Sequence, residues 1–117
     1  MSADLASVAG VCEVEHLRGT ANDPAAPPDV LFEVPYGATR TAHFTALRAQ
    51  LRGRYADDLQ DFFHVNTDVG APELARAIAE RVVQSQPRRS AVVVRCLLPR
   101  TFVDCNRRID PTTAPAG

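Results

Sequence analysis

The chain contains no lysine; all thirteen of its basic residues are arginine. Genomic base composition accounts for such a bias, so a use of planar guanidinium forks on carboxylates or phosphates has to be argued for particular arginines. Cysteine is scarce and odd in number. Cys12, Cys96 and Cys105 show no CxxC spacing, which argues against a closed disulfide framework and for inert thiols in a reducing compartment. No stretch approaches the roughly 18 apolar residues of a membrane span. No basic segment followed by an apolar run marks a signal peptide, so the expected location is cytoplasmic. There is no Walker loop, GxGxxG or GxSxG, and the three histidines lack HExxH spacing. Nucleic acid and membrane are not expected partners, because no basic stretch is interleaved with aromatics and the formal charge is only −1.

What is present fits one small globular domain. The 117 residues are 45% hydrophobic and 23% charged, which excludes disorder throughout and allows a modest core. Val11–Leu17 alternates weakly, as a short edge strand would. Residues 19–29 hold Asn22, Asp23, Pro24, Pro27 and Pro28 and read as a loop. Val30–Val34 is the first convincing strand, ended by Pro35. Thr39 or Thr41 is placed to cap a helix with Phe44, Leu47, Leu51 and Tyr55 on one face, ending near Ala56. Phe62 and Phe63 look like anchors. Pro72 and Glu73 suit the first turn of a second helix. Its expected buried stripe is Leu74, Ile78 and Val82, with Ala75 and Ala79 beside it. Ala91–Leu98 is the second convincing strand, its continuous apolar run suiting cover on both faces. Residues 101–104 suggest a further short strand, and 110–117 a disordered tail. The order strand, helix, helix, strand predicts a parallel pair with a crossover.

Open α/β sheets bind ligands beyond the carboxyl ends of their strands. Two polar loops would meet there: Pro35-Tyr36-Gly37-Ala38-Thr39-Arg40, and the run from Pro99 to Arg107. In the second, Asn106 and Arg107 are suited to holding a carboxylate through an amide and a two-pronged guanidinium. Arg100 is suited to a carbonyl oxygen gaining negative charge, and Asp104 to orienting an arginine. The alternative is a surface ion-pair cluster, a common arrangement of little energetic consequence.

Three segments resemble the N-formylglutamate amidohydrolase family, in the family's order. Arg100-Thr101-Phe102-Val103-Asp104-Cys105-Asn106-Arg107 is similar to its S-R-Y-V-I-D-L-N-R run, with Arg, Asp, Asn and Arg in step. Val30 to Arg40 resembles its apolar strand followed by P-H-S/A-G. Asn66 to Leu74 resembles D-T-D-W-H-V-D-x-L. Together they cover about Val30 to Ile109. The resemblance implies a three-layer phosphorylase/hydrolase-like (zinc-carboxypeptidase-like) fold, of which this chain would hold the N-terminal part. It implies hydrolysis of the formyl amide of N-formylglutamate by a zinc-activated water, in histidine degradation. Arg100 matches the arginine that polarises the carbonyl. Asn106 and Arg107 match the pair that holds the substrate carboxylate, and Asp68 the aspartate beside the metal.

Two positions depart from the family. Tyr36 stands where the motif has its first metal-ligand histidine, and Gly70 replaces another histidine. Nothing matches the family's later half, with its further ligand histidine and catalytic glutamate. His43, His64 and His16 are weak substitutes. Three readings follow: a metal-dependent amidohydrolase, completed by further chain or by self-association; a non-catalytic, metal-free relative that binds a carboxylate ligand or a partner chain; and an unrelated small interaction module. The expected organisation is an N-terminal segment over 1–29, a partial amidohydrolase-like domain over 30–109 and the tail.

Overall fold

Ser90–Cys96 (β3) is the most apolar run of the chain, and it takes the middle of the sheet. In the computed structural model, which describes residues 5–65 and 67–107, it follows β1 (Cys12–Arg18), β2 (Val30–Val34), α1 (Thr41–Gln50), α2 (Leu59–Val65) and α3 (Ala71–Ser85). Asn66, Arg108, Ile109 and the expected tail lie outside the described residues. The result is a small mixed α/β domain with an open three-stranded sheet, order β1-β3-β2, and three helices.

β2 and β3 pair in parallel, with Val30 opposite Ala91 and Val34 opposite Arg95. Their proline-marked ends therefore share one edge of the sheet, as the element order predicts. β1 runs antiparallel on the other side of β3, from Cys12 opposite Cys96 to Arg18 opposite Ser90. Part of the segment 1–29 thus belongs to the sheet.

α3 packs on the face that carries Val30, Phe32 and Val34 of β2 and Ala91 and Val93 of β3. Gly70 is its N-cap, at φ 91°, and Pro72 and Glu73 lie in its first turn. The buried stripe differs from the expected one. Pro72 and Ala79 are buried, and Ala71, Ala75 and Val83 pack on the core. Leu74 is 62% exposed and Ile78 43% exposed, while Val82 is only half-buried. The helix is turned by about one residue, roughly 100°. Alanines on the inner face let its backbone approach β-branched strand residues closely, which bulkier leucine and isoleucine would prevent. Arg76 ties the helix to β1 through Glu15 at 2.9 Å and also pairs with Glu80; both contacts are half-exposed and contribute little stability.

α1 and α2 form a second, smaller core. Phe44, Phe63 and Ala38 are buried in it, with Leu59 and Phe102 alongside. The rings of Phe44 and Phe63 are 5.3 Å apart, and those of Phe44 and Phe102 5.2 Å. Phe63 is an anchor, whereas its neighbour Phe62 is 54% exposed. α1 stops at Gln50, short of Ala56, because Leu51 turns extended and Gly53 takes φ 99°. Its N-cap is Arg40, in place of Thr39 or Thr41. Residues 101–104 form a turn and no strand: Phe102 and Val103 both donate their N–H to the Pro99 carbonyl, at 3.0 and 3.1 Å.

Candidate functional site

The first loop lies against the end of β3 because Gly37 has no side chain. A Cβ there would meet the Arg95 side chain and sit 2.8 Å from the Cys96 carbonyl oxygen. Arg95 reaches back over the loop, donating from Nε to the Gly37 carbonyl at 2.7 Å and from Nη2 to Thr39 Oγ1 at 3.1 Å. Ala38, next in the loop, is buried in the α1–α2 core.

The second loop is fixed to that same core by Phe102, while Pro99 is fully buried. Both loops are therefore positioned by one aromatic cluster and by the end of one strand. They meet at Asp104. Tyr36 donates its hydroxyl to Asp104 Oδ1 at 2.9 Å, and the Asn106 backbone N–H donates to the same oxygen at 3.0 Å. Arg107 Nε lies 3.0 Å and Arg100 Nε 3.7 Å from Oδ2. The Arg100 guanidinium also stacks over the Tyr36 ring, 4.5 Å from its centre, a favourable cation–π position.

Burial of Asp104 works to raise its pKa. The Asn106 N–H, the Tyr36 hydroxyl and the guanidiniums of Arg107 and Arg100 more than offset this, and the carboxyl is held below its ordinary value. Asp104 thus organises the cluster as an anion. One carboxylate serves two guanidiniums, which leaves net positive charge at the loop tips. Arg107 is the most accessible member, with 75% of its side chain exposed.

Of the residues singled out in the sequence, Arg100 and Arg107 come together with Tyr36 and Asp104, whose orienting role is as expected. Asn106 joins through its backbone, and its residue is exposed. Asp68 lies on the loop before α3 and makes no hydrogen bond or ion pair with the cluster among the described residues. It is exposed, and its backbone carbonyl accepts the Ala71 N–H at 3.0 Å. His43 is held at the start of α1, where its Nδ1 accepts the Arg40 N–H at 3.2 Å. Its pKa is lowered, first by burial and then by the charge of Arg95; Glu13 acts against this and Arg40 with it. His16 faces the Leu5 carbonyl at 2.9 Å, and His64 packs edge-on to Phe63.

Arg95 was not singled out in the sequence. It sits inside an apolar run, where it reads as an interruption. The signal was its place: a lone charge in the last turns of a buried strand lies at the carboxyl edge of the sheet. Its guanidinium is only 14% exposed and lies 4.0 Å from Glu13. It also borders a cavity of about 410 Å³ between β1, the end of β3 and the first turn of α3, lined by Glu13, Glu73 and Arg76 among others.

No family model, curated protein or solved structure matches this chain.

The donor set of the described residues does not suit zinc. Structural and catalytic zinc sites take three or four histidine, cysteine or carboxylate ligands. Among the described residues no group of three such side chains is placed to hold a metal. Tyr36, at the expected ligand position, spends its hydroxyl proton on Asp104. What the arrangement does offer is an oriented pair of guanidiniums beside a phenol, chemistry suited to a planar anion.

Proposed function

We propose that this domain binds a small carboxylate of the N-formyl amino acid type at the loop carrying Arg100 and Arg107, as a metal-free relative of the N-formylglutamate amidohydrolases. The observation that carries the reading is the convergence of Tyr36, Arg100 and Arg107 on Asp104. Loops distant in sequence meet at the strand ends, and two of the meeting residues, Arg100 and Arg107, are ones the family resemblance assigns to the substrate. Arg107 supplies the accessible charge, Asn106 the neighbouring amide, and Arg100 is held over Tyr36 facing the first loop. On this reading the sheet is the N-terminal part of a three-layer phosphorylase/hydrolase-like fold.

The test is titration calorimetry with glutamate and N-formylglutamate. A charge-assisted hydrogen bond contributes about 1.5–3 kcal/mol, so Arg107→Ala is expected to weaken binding roughly 10- to 100-fold. Arg81→Ala, an exposed change on α3, should leave binding unaltered. Equal losses from both variants would mean nonspecific charge attraction and would refute the site.

A second reading is the hydrolase itself, favoured by the unbroken spacing of Arg100, Asp104, Asn106 and Arg107. It requires a metal-activated water to cleave the formyl amide, and no step through zinc follows from the described donor set. Formate release that needs added zinc and stops with chelator would establish it over the binding reading.

A further inference from the structure

Cys12, distant in sequence, and the nearer pair Cys96 and Cys105 gather at one end of the sheet. Cys96 is the last residue of β3 and Cys12 lies opposite it in the antiparallel register. Cys105, in the second loop, brings its Sγ to 3.3 Å from Cys96 Sγ. We propose that Cys96 and Cys105 are a dithiol–disulfide pair, a covalent modification site that fastens the second loop to the end of β3. The inference is independent of what that loop binds.

The geometry needs little change. A disulfide has its sulfurs about 2.05 Å apart, so the gap closes by about 1.3 Å. Cys105 is exposed and can supply that movement by turning about its side-chain bond. The backbone between the two is already folded back, by the turn on Pro99 and by Phe102 in the aromatic core. Cys12 is also near Cys96 but lies on the neighbouring strand, so it is the competing partner that the test must separate.

The reaction is thiol–disulfide exchange with a small-molecule disulfide such as oxidised glutathione. The Cys105 thiolate attacks one sulfur of the reagent and expels a thiolate, leaving a mixed disulfide. The Cys96 thiolate then attacks Cys105 Sγ and expels the second thiolate. The protein loses two protons and two electrons, and the reagent is reduced to two thiols. Although the residue is exposed, partial desolvation of its sulfur, followed by the hydrogen bond with Cys96, pushes the Cys105 thiol up to about 11. Exchange is therefore slow at neutral pH and quickens in alkali.

The full chain is incubated to completion with oxidised glutathione at about pH 9.5, where more of a raised thiol is ionised than at neutrality. Remaining thiols are alkylated, and the protein is digested with trypsin without reduction. Cleavage after Arg95, Arg100 and Arg107 separates the two cysteines, so the disulfide joins peptide 96–100 to peptide 101–107 in one species that reduction splits. Cys12→Ser is expected to keep that species, and Cys105→Ser to abolish it. A lasting glutathione adduct on Cys105, a link between Cys12 and Cys96, a dimer joined through Cys105, or three alkylated thiols would each overturn the proposal.

Discussion

The phase of α3 separates two pictures of the core, and two substitutions one residue apart distinguish them. Ala79 is fully buried against Val34, Ala91 and Val93. Ala79→Leu adds three carbons where there is no room, and overpacking of this kind costs about 1–3 kcal/mol. Ile78→Ala removes three carbons from a residue already 43% exposed. Full burial would make them worth about 2.4 kcal/mol at roughly 0.8 per carbon. Little more than half of that applies, and alanine's better helix propensity returns a few tenths. The net expectation is about 1 kcal/mol. Urea unfolding at fixed pH measures both, and thermal unfolding should follow at on the order of 4 °C per kcal/mol. A neutral Ala79→Leu together with a loss above about 2 kcal/mol for Ile78→Ala would place Leu74, Ile78 and Val82 against the sheet after all.

Two further outcomes follow from the site. Gly37→Ala should destabilise by about 1–3 kcal/mol, because the Cys96 carbonyl it would crowd is held by β3; unchanged stability in the same urea assay would mean the first loop does not rest on the strand end. His43, with its pKa below the ordinary 6.5, favours the folded state when neutral. That stability is fully present above 6.5 and is lost as pH falls through the lowered folded value, because the unfolded chain takes up the proton first. His43→Gln should therefore lose less stability than the parent between pH 7 and pH 5, and parallel profiles would remove His43 as the cause.

The strands were legible because Val30–Val34 and the 91–98 run are apolar, β-branched and bounded by proline, and their parallel pairing followed from the helices between them. The existence of α3 was equally plain from Pro72 and Glu73. Its facing was not, since two apolar stripes compete on it and size alone favours Leu74 and Ile78. Close approach favours the alanines, and that depends on the partner sheet, which a local pattern does not contain. At the site, residue spacing identified Arg100, Asp104 and Arg107 as neighbours. It did not reveal that Tyr36 would complete the cluster through its hydroxyl. The meeting of Cys96 with Cys105 was hidden for a similar reason: a spacing of nine suggests no motif until the turn on Pro99 folds the chain back.

The aromatic cluster of Phe44, Phe63 and Phe102 divides the apolar packing into two units of unequal size. Among the described residues α1 and α2 touch each other, while α3 touches the sheet. The lesser unit holds both loops at the strand ends, through Ala38 and Phe102, and cooperative units of few apolar contacts open at lower free energy than the sheet does. Amide hydrogens of α1 and α2 would then exchange ahead of those in β3. A ligand bridging the loops would slow the first set and leave the second untouched, so occupancy of the site would be read as protection in helices it never contacts.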